Sequence, residues 1–140
     1  MSPSRTLALL PLALLLAGCS HNPFDPGPNL KTDAEDFEKA LRFQDYAGAA
    51  SLVVPARRQA FLAARRKEGS DLEVTDMEVI DVQMSPDGKQ AVVVSRMRWV
   101  RLPSVSEATA EVHANWVLQG SGWLLLALAG GPFPELAPPH

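Results

Sequence analysis

Cys19 is the residue of this chain with the most distinctive chemistry. It is the only cysteine among 140 residues, and it stands where an apolar run ends and a polar, proline-containing stretch begins. A thiolate is a far better nucleophile at neutral pH than a hydroxyl, so this position suits covalent modification. An internal disulfide is impossible without a second cysteine. We therefore interpret Cys19 as an attachment site rather than as a core residue.

The residues before Cys19 follow the plan of a secretory signal peptide. Arg5 supplies the positive charge, and an apolar run extends from Leu7 to Ala17. A permanent transmembrane helix needs about 20 apolar residues, so this run is too short to be one. Residues 1–18 are predicted to direct export and to lie outside the folded domain.

The run Leu16-Ala17-Gly18-Cys19 resembles the lipobox of bacterial lipoproteins. In that family the cysteine thiol receives a diacylglycerol, a peptidase cleaves before the cysteine, and the new amine is acylated, with palmitate among the attached chains. The resemblance implies that lipid on Cys19 holds the protein on a membrane of the cell envelope. Ser20 is not Asp, which under the enteric sorting rule implies the periplasmic face of the outer membrane.

Composition limits the remaining functions. The apolar share of 46% and charged share of 21% are typical of one globular domain. The net charge of −3 argues against a nucleic-acid partner, which requires a clustered cationic excess. His21, His113 and His140 lack metal-ligand spacing, so we expect neither a metal nor another cofactor.

Residues rich in Pro, Gly and Asn divide the chain into segments. Residues 19–31 are predicted to be a flexible tether and residues 130–140 a flexible tail. The folded domain is then expected to span residues 32–129.

The first part of this domain has helical spacing. Thr32 and Glu35 form a capping-box pattern, which predicts a helix over residues 33–46. A short helix is expected to follow, and then a third that begins at Pro55 and ends before Gly69. The third helix carries Arg57, Arg58, Arg65, Arg66 and Lys67, which are interpreted as a solvated face, with contact to anionic head groups as the alternative.

From Leu72 the apolar period changes to two, which predicts strands. Turn residues separate four of them, over residues 72–84, 89–102, 107–119 and 122–128. The sequence thus predicts an α+β fold in which N-terminal helices pack on a curved antiparallel meander of about four strands.

The requirement that the apolar side chains of paired strands share one face of the sheet suggests a register for these strands. Pairing Leu102 with Glu107 places Arg98 opposite Glu111, and pairing Gln119 with Gly122 continues the meander. The inward face predicted from this register is largely aliphatic and indole: Ile80, Val82, Ala91, Val93, Ser95, Met97, Trp99, Ala110, Val112, Ala114, Trp116 and Leu118.

The order of elements and the closing run WVLQGSGWLLL resemble the nuclear-transport-factor-two-like, cystatin-like cone. That family includes small enzymes and non-catalytic accessory domains. Its enzymes place acids, tyrosines or histidines inside the cone, so the resemblance directs attention to the inner face. Candidate pocket residues there are Asp76, Tyr46, Met97, Trp99 and Trp116.

The alternate strand positions that face away from the helices form a candidate protein interface: Arg96, Arg98, Glu111, His113 and Asn115. An ordinary cross-strand polar ladder would have the same pattern. Apart from Asp76, which is near a strand end where a solvated carboxylate is the ordinary outcome, the inward strand positions offer no general base, so no catalytic residue is assigned.

We therefore expect a lipid-anchored envelope protein with a small non-catalytic binding or accessory domain. A cone-pocket enzyme of the isomerase or dehydratase type and a carrier of an apolar ligand remain the alternatives. The ligand, the partner and the oligomeric state stay open.

Overall fold

A computed structural model describes residues 29–140 of the chain. The predicted signal peptide, the lipobox-like run and most of the predicted tether lie outside these residues. Three helices precede a four-stranded antiparallel sheet with strand order β1-β2-β3-β4. The predicted α+β class, with helices N-terminal to a meander, is confirmed. Within residues 29–140, no helix has the length and apolar character required to cross a membrane.

The helices are α1 (Leu30–Arg42), α2 (Tyr46–Ser51) and α3 (Pro55–Glu68). The strands are β1 (Leu72–Met84), β2 (Gln90–Arg101), β3 (Ala108–Gln119) and β4 (Gly122–Ala129), and a 3-10 turn follows at Pro134–Leu136. Pro55 is in the first turn of α3 and Gly69 caps its end, as predicted.

Helix α1 begins earlier than predicted. Asn29, rather than Thr32, is its N-cap, and the Asn29 side chain accepts hydrogen bonds from the backbone N–H groups of Lys31 and Thr32. The additional turn brings Leu30 onto the buried stripe of the helix. Burial of this apolar side chain favours the earlier start.

Strand β1 departs from regular alternation twice. Its pairing with β2 shifts between Val74 and Asp76 and again between Val79 and Asp81. Each shift takes one residue out of the ladder, so the residues that follow change faces. Simple alternation therefore assigns the wrong face to the middle of this strand.

The pairing of β2 with β3 differs by two residues from the prediction. Arg96 lies opposite Glu111, and Arg98 lies opposite Thr109 rather than Glu111. A shift of two residues leaves every side chain on its predicted face. A criterion based on which face the apolar side chains share therefore cannot detect it. The predicted pairing of Gln119 with Gly122 in β3 and β4 is present.

The predicted flexible tail is instead part of the core. Phe133 is 1% exposed and Leu136 is fully buried. Gly130 and Gly131 have φ angles of 87° and 74°, and they turn the chain from β4 back across the sheet. A Cβ atom on Gly130 would lie 2.8 Å from the Glu111 carbonyl oxygen, so this crossing requires glycine.

Two arginines of α3 hold this C-terminal segment in place. The Arg57 guanidinium donates to four backbone carbonyls, at residues 126, 135, 136 and 137. Arg65 is 4% exposed, and its Nη2 lies 2.8 Å from Oε1 of Glu135. Its guanidinium also lies 4.8 Å from the centroid of the Phe133 ring, within cation–π range.

We predict that Phe133→Ala lowers the free energy of unfolding by about 3–5 kcal/mol, the usual cost of truncating a buried phenylalanine. Phe43→Ala is the matched control, because Phe43 is 73% exposed and should be nearly neutral. Denaturant unfolding of both variants measures the difference. Equal midpoints for the two variants would show that residues 130–140 do not contribute to the core.

Candidate functional site

An apolar groove lies between the start of α1 and the far end of β1. Its volume is about 520 Å³. The apolar side chains that line it are Leu30, Ala34, Val79, Val82, Met84, Val93 and Trp123. Polar residues, Asn29, Lys31 and Glu35, line it as well, all on the first turns of α1 or its cap.

The groove exists because the helices do not cover the whole inner face of β1. Leu72 and Val74 are buried, whereas Val79, Val82 and Met84 are each 41–49% exposed. These three pair with inward-facing positions of β2, so their side chains point to the helix side of the sheet. These uncovered apolar side chains form an exposed apolar surface, a feature that marks a candidate interaction site.

The edge of β1 beside the groove is partly closed to another strand. The Asp81 carboxylate accepts a hydrogen bond of 2.9 Å from the Val82 backbone N–H. The register shift at the same place interrupts regular ladder geometry. Bulges and charged residues are features by which edge strands resist further pairing. The opposite edge is covered as well, because Val53 bridges to Leu125 of β4.

Glu38 is a partly buried acid on the inner side that the strand pattern did not reveal. It projects from α1, and Ser95 Oγ of β2 donates to its Oε1 at 3.4 Å. Burial raises the pKa of the Glu38 carboxyl to about 7, although the Ser95 hydroxyl opposes this shift. The sequence did contain a signal for this position. Glu38 is four residues after Ala34, which places it on the buried stripe of the helix.

A very small cavity adjoins Glu38. Its volume is about 10 Å³, which is about the room for one water molecule. Trp116 also lines it, and the Trp116 Nε1–H is buried without a hydrogen-bond partner among the described residues. Ala34 and Val93 line both this cavity and the groove, so the two spaces share a wall.

The predicted pocket residues do not form one site. Trp116 and Met97 are buried in the core, where the Phe37 ring meets Trp116 edge-on at 5.9 Å, and Trp99 packs at its margin. Tyr46 packs edge-on against the ring of Phe61, at a separate part of the core. Burial raises the pKa of the Tyr46 phenol, as expected for a tyrosine that packs its ring.

Asp76 is on the outer face, so its predicted inward position is wrong. The first register shift of β1 places it opposite Arg98, whose Nη2 donates to its Oδ2 at 2.7 Å. This hydrogen bond lowers the pKa of the Asp76 carboxyl. Ile80 is left unpaired by the second shift, and it does not line the groove.

The candidate interface residues are on one outer face, and most of them make local polar contacts. Arg96 lies 3.5 Å from Glu78, and His113 Nε2 lies 3.0 Å from Glu111 Oε1. Asn115, farther along β3, is partly buried. The charged side chains here are each about half exposed, which is typical of a solvated cross-strand ladder.

Most of the basic residues of α3 are engaged within the domain. Arg58 donates to the backbone carbonyls of Ser51 and Val53, and Arg57 and Arg65 hold the C-terminal segment. Arg66 and Lys67 are exposed. The helix therefore does not present five free cations. Over residues 29–140, no cluster of three or more His, Cys, Asp or Glu side chains could hold a metal ion.

Comparisons with known proteins bear on the fold alone. No family model matches the chain, and no curated protein matches it significantly. A SEC-C motif containing protein from Rhodopseudomonas palustris, known from a solution structure, is similar in fold with a TM-score of 0.57. The two chains are 14% identical, and the alignment covers 68% of this chain and 73% of that one.

We predict that Glu38 makes folding pH-dependent. The pKa of its carboxyl is about 7 in the folded state and has an ordinary value of 4.5. Folding therefore favours the protonated form. The stabilisation from the Glu38 carboxyl is complete below its ordinary pKa of 4.5, and it is lost as the pH rises through the folded-state pKa of about 7.

Glu38→Gln should thus be more stable than the parent protein at about pH 8 and similar to it at about pH 4. Denaturant midpoints across this range measure the effect. Glu35→Gln is the control, because Glu35 is exposed one turn earlier on the same helix. If Glu38→Gln and the parent have parallel pH profiles, the carboxyl does not titrate as described.

Proposed function

We propose that this protein is a lipid-anchored protein of the cell envelope whose domain binds an apolar ligand and catalyses no reaction. The lipobox resemblance at Cys19 and the signal-peptide pattern before it support the anchor. The observation that carries the binding role is the groove between α1 and β1, which combines an aliphatic lining with polar groups confined to α1.

The best-fitting ligand is the acyl chain of a single-chain amphiphile. The groove volume of about 520 Å³ is in the range of small-molecule pockets, about 300–1,000 Å³. An aliphatic lining suits the chain, while Asn29, Lys31 and Glu35 can contact a polar end. An extended peptide fits less well, because Asp81 already occupies the Val82 N–H at the strand edge.

The position of the groove relative to the anchor supports the same ligand. Asn29 at the groove is ten positions after Cys19, and a chain of ten extended residues spans at most about 35 Å. Lipid on Cys19 would therefore keep the groove close to the membrane surface. Single-chain amphiphiles are concentrated in that region because their apolar chains partition into the bilayer.

The alternative of a cone-pocket enzyme has less support. Glu38 has the raised pKa of a candidate general base, but its cavity has room for only about one water molecule. General acid–base catalysis requires the substrate within hydrogen-bond reach of the base. Ala34 and Val93 separate the groove from this carboxyl, so a molecule in the groove would meet aliphatic side chains.

Cys19→Ser should abolish lipidation and leave the uncut precursor, because no other thiol can receive the lipid. Metabolic labelling with a fatty-acid analogue measures the attachment, and electrophoretic mobility measures cleavage. Ser20→Ala is the control and should retain both. Undiminished label in Cys19→Ser would remove the anchor from the proposal.

Acyl-chain binding is tested in cells that express the full-length protein and are fed a fatty acid with a photoreactive diazirine. After irradiation, mass spectrometry should locate adducts on the peptide that carries Ala34, separately from label at Cys19. Val82→Arg should reduce these adducts several-fold, because a buried or partly buried cation in the groove opposes an apolar chain.

Val105→Arg is the matched control, because Val105 is 87% exposed and does not line the groove. It should leave the adduct yield unchanged. Equal yields from the parent, Val82→Arg and Val105→Arg would exclude the groove as the acyl-chain site.

A further inference from the structure

Exposed apolar side chains are concentrated on one short segment of the sheet edge. Within residues 29–140, eight large apolar side chains are exposed, and four of them belong to the last six residues of β1: Val79, Ile80, Val82 and Met84. The other four are divided among the end of α1, the loop after β2 and strand β4. Single exposed apolar residues are ordinary, whereas a contiguous group marks a protein or membrane contact. We call residues 79–84 the β1 edge segment.

A further β-strand is a poor match for this segment. The Asp81 carboxylate already accepts a hydrogen bond from the Val82 N–H, and the pairing with β2 shifts between Val79 and Asp81. A second copy of the chain that paired edge to edge would have to displace that carboxylate and follow the shift. A bilayer surface can cover the same side chains without any ladder hydrogen bond.

The β1 edge segment is at the end of the domain where the chain enters. Asn29 and Leu30 line the groove together with Val82 and Met84. Asn29 is ten positions after Cys19. Lipid on Cys19 would therefore hold this end of the domain, rather than the opposite end, beside the bilayer.

We infer that the β1 edge segment rests on the bilayer surface, so that the groove beside it opens toward the acyl chains of the membrane. The inference rests on the anchor of the proposed function and deepens that function, because it supplies a route for the ligand. The cost of exposing an acyl chain to water grows with each methylene group. A groove in contact with the bilayer receives the chain without that exposure.

Apolar burial rather than charge would hold this contact. The charges at this end of the domain are mixed, since Lys31 and Lys89 are exposed and so are Glu35, Asp81 and Asp87. Attraction of anionic head groups to the lysines is offset by repulsion from the carboxylates. The contact should therefore form on zwitterionic lipid and should change little with salt, because salt screens only the electrostatic part.

The contact is tested on the mature lipidated protein in phosphatidylcholine vesicles that contain a phospholipid with a nitroxide on its acyl chain. Cys19 is the only cysteine, and its sulfur would carry the lipid, so an introduced cysteine is the single free thiol for a fluorescent label. Ile80→Cys is the labelled position, because Ile80 is 47% exposed and does not line the groove. A lipid bound in the groove is thus separated from contact with the bilayer.

Val105→Cys is the matched control position. Val105 is 87% exposed in the loop after β2, and that end of β2 pairs with the start of β1, far from Met84. The nitroxide should quench the label at position 80 several-fold more than the label at position 105, at low and at high salt. Equal quenching at the two positions would overturn the inference, and loss of the difference at high salt would overturn its apolar basis.

A substitution in the segment provides a second measurement. Met84→Asp should reduce the quenching at position 80 several-fold, because a carboxylate opposes burial in the apolar part of the interface. Phe43→Asp is the matched control, since Phe43 is 73% exposed at the far end of α1 and should leave the quenching unchanged. Equal effects of the two substitutions would contradict the assignment of the contact to β1.

The remaining outcomes separate this inference from the proposed function. A disulfide-linked dimer of Ile80→Cys without quenching would assign the segment to a second copy of the chain and overturn the inference. Equal quenching at positions 80 and 105, with diazirine adducts retained on the Ala34 peptide, would keep the acyl-chain groove and reject the bilayer contact. Uptake of the label by the parent protein would show that Cys19 is free, and both the anchor and the contact that rests on it would be rejected.

Discussion

The sheet is longer than the helices that cover it, and the rest of the architecture follows from this mismatch. Thirteen residues of β1 extend about 43 Å, whereas thirteen residues of α1 extend about 20 Å. Helix α1 covers the middle of the inner face, where Phe37 packs on Trp116. The C-terminal segment covers another part through Phe133. The far end of β1 remains uncovered, and that remainder is the groove.

Two ionisable side chains, the buried Arg65 and the partly buried Glu38, lie beneath this cover, and the domain accommodates them differently. Arg65 is paired with Glu68 and Glu135, so it links α3 to the C-terminal segment while its charge is compensated. Glu38 has only the Ser95 hydroxyl as a side-chain partner, and burial therefore favours its neutral form near neutral pH. Arg65 holds the C-terminal segment against α3, and the raised pKa of Glu38 predicts that the stability of the domain depends on pH.

The candidate site was only partly accessible to sequence reasoning. Alternation correctly placed Val82 on the helix side and correctly predicted an aliphatic inner face, which led to the carrier alternative. It missed Glu38, because the inner face was derived from the strands and a helix supplies this acid. It also misplaced Asp76, because a bulge cannot be read from alternation itself. The groove could not be anticipated either, since it depends on how far α1 extends along β1.

The sequence by itself determined the features with local causes: the class of each element, the start of α3 at Pro55, its end at Gly69 and the tight turn between β3 and β4. Proline geometry, glycine conformational freedom and side-chain alternation act over a few residues, so a short window contains the information. Tertiary structure decided which of two pairings, two residues apart, β2 and β3 adopt. It also decided the docking of Phe133. Both depend on contacts between distant segments, and registers that differ by two residues present the same faces to the core.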